Sequence, residues 1–138
     1  MPRISIWFVR TALLYCGAGF AAGAYQLTHT AGYVAPPPGW MRTFHIEGLL
    51  VGWMAQLAFG VAIWILPFSR APSSDKHLWA AWAMLNGGIA ATVVGRAGGF
   101  DEVYLIGGFG IAGACGLLAW RLWPRLRALP TRTNKHHG

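Results

Sequence analysis

Residues 44–66 read FHIEGLLVGWMAQLAFGVAIWIL, and Pro67 follows. His45 and Glu47, at the entry, are the only titratable groups in this run. A helix needs roughly 20 consecutive apolar residues to cross the hydrocarbon core of a bilayer. It must be a helix, because lipid offers no hydrogen-bond partner to an open backbone. Proline cannot continue it, so the span ends at residue 66. Three more runs have the same character: 4–25, with Arg10 near its start, 78–94, with no charge, and 103–120. The expected fold is an all-α membrane protein, a four-transmembrane-helix bundle forming one domain over residues 1–138. Composition agrees: 55% of the residues are hydrophobic, 11% are charged, and the mean hydropathy is +0.43. A soluble domain carries about a quarter charged residues. A soluble enzyme is thereby excluded, and so is a disordered chain, which needs low hydrophobicity.

Loop charges orient the spans. With the N-terminus inside, Arg3, Arg10, Arg70, Lys76, Arg121, Arg125, Arg127, Arg132 and Lys135 lie on the cytoplasmic side, and only Arg42 and Arg96 lie outside. The expected topology is N-in/C-in, with residues 121–138 a basic cytoplasmic tail able to touch anionic headgroups. The net charge of +7 is then a topology signal and does not imply nucleic acid. The first apolar run is too long for a cleavable signal peptide.

Small residues recur in two spans. Gly19 and Gly23 make a GxxxG pair, and Gly108, Ala112 and Gly116 repeat at the same spacing. Such faces let helix backbones approach closely in lipid. They also suit a flat cofactor lying on a helix. The pattern therefore has two readings: packing, within the chain or between copies of a homo-oligomer, and a cofactor wall.

His45, Gly48, Gly52, Gln56 and Phe59 fall near one face at helical spacing. An imidazole looking along a groove cleared of side chains is what a porphyrin needs. Thr43 suits an N-cap, which puts His45 in the first turn. The helix dipole and the low dielectric both disfavour imidazolium there, and the neutral ring is the form that binds metal. Arg42 and Arg96 lie at the same membrane level, and arginine is a natural partner for haem propionates. The alternative role for His45 is a polar anchor bonded to a neighbouring loop.

The stretch from His45-Ile46-Glu47-Gly48 through Gly52 and Gly60 to Trp64-Ile65-Leu66-Pro67 resembles helix II of subunit I of the haem-copper oxidases. It is also similar to the NnrS family of membrane haem proteins. In both, a histidine opens the helix, glycines follow and a proline closes it. The first span resembles oxidase helix I, and the last two fit helices III and IV by hydropathy. The resemblance implies b-type haem, with His45 as an axial ligand of the iron near the outer surface. It implies electron transfer or diatomic-gas chemistry (O2 or NO) in a bacterial inner (plasma) membrane, with respiratory-chain subunits as candidate partners. The oxidase helices downstream of helix IV, which carry the active-site ligands, have no counterpart in these residues. The expectation is a haem protein and not a complete oxygen reductase.

A second ligand has several sources. His29 lies in the outer loop and reaches His45 if the proline-rich stretch 36–38 folds inward. Met41 and Met54 offer thioethers. Two copies of His45 meeting across one haem is the oligomeric solution. His77 opens the third span on the opposite side, and His136 and His137 end the tail. A copper site from His29, His45 and Met41 is a weaker alternative. So is a haem-free accessory or assembly subunit of a respiratory complex, in which His45 is an anchor. No CxxCH occurs, which leaves out covalent haem attachment, and Cys16 and Cys115 read as small buried apolar residues. Glu47 is the one acid within a span, either paired with Arg42 and the helix dipole or handling protons beside a propionate. Asp101 and Glu102 read as a cap for the fourth span. Gln56 and Asn86 read as interhelical hydrogen-bonders. Trp7, Trp40, Trp79, Trp120 and Trp123 read as interface belt, and Trp53, Trp64 and Trp82 as deep packing residues.

Overall fold

The computed structural model describes residues 2–66 and 74–126. Four helices run over Arg3–Thr30, Gly39–Ile65, Ser74–Gly98 and Asp101–Leu126, and no strand occurs among the described residues. All four are long and apolar enough to cross a membrane. The chain is an all-α, four-helix bundle of the multi-pass membrane type. Each helix overruns its apolar run at one or both ends. Hydropathy marks the hydrocarbon segment, while the backbone stays helical through the polar interface beyond it.

The ends have local causes. Gly32, at φ +83, takes the left-handed turn that follows the first helix. The Tyr33 amide bonds the Thr28 carbonyl at 3.1 Å, folding the loop back on the helix end. Pro38 is extended (ψ 147) and stands as N-cap of the second helix. That corrects the expected start: Thr43 is not the cap, and His45 sits in the second turn. The dipole acts mainly within the first turn, so Arg42 lies in its field and His45 lies beyond it. Residues Gly48–Ala55 are wound as π-helix between two α-helical segments. Gly99, at φ +71, lets the chain reverse between the third and fourth helices.

The helices pair as two antiparallel hairpins. In the first, Gly60 lies against Phe8 and Val9, Gly52 against Tyr15, Gly19 against Leu49 and Gly23 against His45. In the second, a Cβ on Gly107 would lie 2.7 Å from the Gly88 carbonyl oxygen and from the Thr92 amide, and one on Gly95 would lie 2.5 Å from the Tyr104 amide. Gly19 and Gly23 thus serve packing inside the chain. Gly108 and Gly116 face open space.

The hairpins meet around a core of Ile4, Phe8, Ile63, Leu78, Ala81, Leu118 and Leu122, drawn from all four helices at the end that carries Arg3. Phe59 packs against it. Trp7, Trp79 and Trp82 cluster beside it with centroids 5.9 to 6.4 Å apart, Trp82 edge to face with the other two. Elsewhere large apolar side chains point outward, among them Phe109 at 76% and Leu14 at 72% exposure. Such a surface suits lipid as solvent. Packing and interhelical hydrogen bonds then hold the bundle, since lipid gives helices no hydrophobic reason to associate.

Candidate functional site

His45 lies half-buried between the first two helices. Its ring lies over Gly23, where a Cβ would come within 2.5 Å of Cε1. Its Nδ1 is 2.8 Å from the Gly19 carbonyl oxygen. A carbonyl only accepts, so Nδ1 carries a proton, and in the neutral ring the lone pair is then on Nε2. Nε2 has no hydrogen-bond partner among the described residues and is not fully enclosed. A histidine whose Nδ1–H is held by a carbonyl has the tautomer and the fixed ring that a metal ligand needs. The same bond also ties the second helix to the first across 26 residues of sequence, which is what an anchor does.

The face that carries His45, Gly48, Gly52 and Gln56 is as the sequence spacing predicts, but its occupant is different. The Tyr15 ring covers Gly52, where a Cβ would lie 2.5 Å from Cγ, and also lies next to Gly48. Gln56 donates to the Thr11 hydroxyl. The glycines bring two helices together and leave no porphyrin-wide slot along that face. The donor set therefore fits one axial ligand to a haem iron and does not make a complete haem pocket.

Arg42 and Arg96 do come together, on another face of the second helix. They line a cleft of about 380 Å³, at the end of the bundle away from Arg3, with Gly39, Thr43, Ile46, Glu47 and Tyr104. The Arg96 guanidinium stacks over the Tyr104 ring, 4.4 Å from its centroid. Neither arginine pairs with a carboxylate among the described residues. Glu47 instead accepts from the Thr92 hydroxyl. The expected Arg42–Glu47 pair does not form, because Thr92 is buried against Glu47 while Arg42 reaches outward. The two arginines share the membrane level of His45 but not its side of the helix.

His29 ends the first helix with Nδ1 3.1 Å from the Val34 carbonyl, so it is tied to its own loop. Met54 is 55% exposed and faces away from the bundle. No group of three or more His, Cys, Asp or Glu side chains converges among the described residues. His77 is at the opposite end, bonded to Arg121. Pro67, Arg70, Arg127, Arg132, Lys135, His136 and His137 lie outside the described residues.

One polar cluster escaped the sequence reading. The Thr11 hydroxyl accepts from Gln56 and from the Trp82 indole at 3.3 Å, and donates to the Trp7 carbonyl at 2.7 Å. Trp82 thus joins Trp7 and Thr11 and is not a free wall for a ring. Trp53 stacks on Phe20 at 5.6 Å, and Trp64 is 55% exposed. Asn86 bonds its own helix at the Trp82 carbonyl, 2.8 Å away, and not a neighbouring helix. The chain matches no family model, no curated protein and no solved structure.

Proposed function

We propose that this chain is an integral membrane b-type haem protein in which His45 is an axial ligand of the iron, acting in electron transfer or diatomic-gas chemistry. The observation that carries this reading is the held ring. Nδ1 is committed to the Gly19 carbonyl, and Nε2 is left without a partner among the described residues, in a half-buried place between two helices. When bound, haem supplies one-electron exchange or gas ligation; the chain supplies the ligand, its orientation and its burial. The rest of the pocket and the second ligand come from outside this bundle, from a second copy or from a respiratory-chain subunit, because Tyr15 fills the glycine face. His29 of the same chain has its Nδ1 held by the Val34 carbonyl in the same way, and it serves only if its loop carries Nε2 to the iron. The orientation is N-in/C-in in a bacterial inner membrane. Arg3, Arg10, Lys76 and Arg121 gather at one end, with Arg42 and Arg96 at the other, which supports it.

A second reading rests on the same Tyr15. The bundle closes without a cofactor, as a haem-free accessory subunit needs, with His45 as the anchor between two helices. An absorption spectrum separates the two. Protein purified from haem-replete cells shows a Soret band that shifts on dithionite reduction under the first reading. A colourless preparation from such cells selects the second.

A further inference from the structure

The outer cleft and a groove beside it form one continuous surface. The cleft presents Arg42 and Arg96, neither in an ion pair among the described residues. Glu47 and Tyr104 belong both to the cleft and to an apolar groove of about 260 Å³ running down the fourth helix. Leu105, Gly108, Phe109 and Ala112 line that groove. It extends about 10 Å along the helix at 1.5 Å per residue. Its side chains face lipid, with Leu105 57% and Phe109 76% exposed.

We infer that this surface binds one phospholipid of the outer leaflet, with the phosphodiester between Arg42 and Arg96 and an acyl chain along the groove. Charge supports the choice. Two guanidinium groups and one carboxylate leave a formal charge of +1, which one phosphodiester balances. Arginine forks match phosphate oxygens with paired hydrogen bonds. Depth supports it as well. Arg42 lies in the first turn of the second helix and Arg96 in the last turn of the third, where headgroups sit. Gly39 adds the positive end of a helix to the cleft. A soluble anion would use the cleft but have no use for the groove. The stack of Arg96 on Tyr104 holds one guanidinium ready at the junction of the two.

The test is lipid retention by native mass spectrometry of the full chain released from detergent. The wild type keeps one phosphatidylglycerol and does not keep dioleoylglycerol, which lacks the phosphate. The double variant Arg42→Gln, Arg96→Gln loses retention about tenfold or more, the scale of one or two charge-assisted hydrogen bonds. Both arginines are exposed, so the fold does not depend on them. Gly108→Leu fills the groove from a position where a Cβ meets nothing within 4 Å, and it also lowers retention. Circular dichroism checks that each variant keeps its helices. Equal retention by the double arginine variant overturns the proposal. So does displacement of the lipid by inorganic phosphate together with full retention in Gly108→Leu, which would make the ligand a soluble anion.

Discussion

Thr11 shows what a single hydroxyl can do in lipid. It accepts twice and donates once, joining the first, second and third helices through Trp7, Gln56 and Trp82. Thr11→Val keeps the shape and removes all three bonds, leaving the Gln56 amide and the Trp82 indole without that partner. We expect a loss of about 1–2 kcal/mol, between the membrane average for one interhelical bond and the cost of an orphaned buried donor. Reversible unfolding in mixed micelles measures it; a change within about 0.3 kcal/mol would count against the network. Gln56 was legible in the sequence because an amide stands out in an apolar run. Thr11 was not, since threonine is near neutral in hydropathy and carries no spacing signal. His45 was legible as a singular residue. Its partner Gly19 was legible only as a packing glycine, because a carbonyl acceptor belongs to every residue alike.

Helix ends and glycine faces divide in the same way. The apolar runs located all four helices, but Pro38, and not Thr43, caps the second, so residues 39–43, ahead of the apolar run, joined the helix. The π-wound stretch Gly48–Ala55 left no trace in the sequence, because residue types do not distinguish i→i+4 from i→i+5 bonding. The glycine pattern announced close approach without saying to what. Structure separates the uses. Gly107 meets backbone atoms of the third helix, and backbone cannot step aside. Gly107→Ala is therefore expected to cost about 1–3 kcal/mol, although alanine is the better helix former by about 1 kcal/mol. Gly108→Ala, one residue away in open space, is expected to be neutral or slightly stabilising. Thermal unfolding of the two variants side by side checks the contrast, and equal effects would contradict the described face of the fourth helix.

As a whole, the molecule is two hairpins joined by a core at one end and by an arginine-lined cleft at the other. The charge asymmetry between those ends predicts the topology. In a cysteine-free background, Tyr33→Cys, at a position 84% exposed, should react with a membrane-impermeant maleimide in intact cells. Lys76→Cys should react only after permeabilisation; the opposite pattern reverses the orientation. The central claim is the proposed one: His45, its ring held between two helices with Nε2 unpartnered among the described residues, would ligate a haem iron, and a partner surface would complete the pocket. Imidazole rescue of His45→Gly tests that most directly. The variant removes the ligand and opens a space the size of the ring beside Gly23. The account predicts that purified His45→Gly loses the Soret band and that added imidazole restores it. A His45→Gly protein with the full Soret intensity of the wild type, unchanged by imidazole, contradicts the assignment of His45 as the iron ligand.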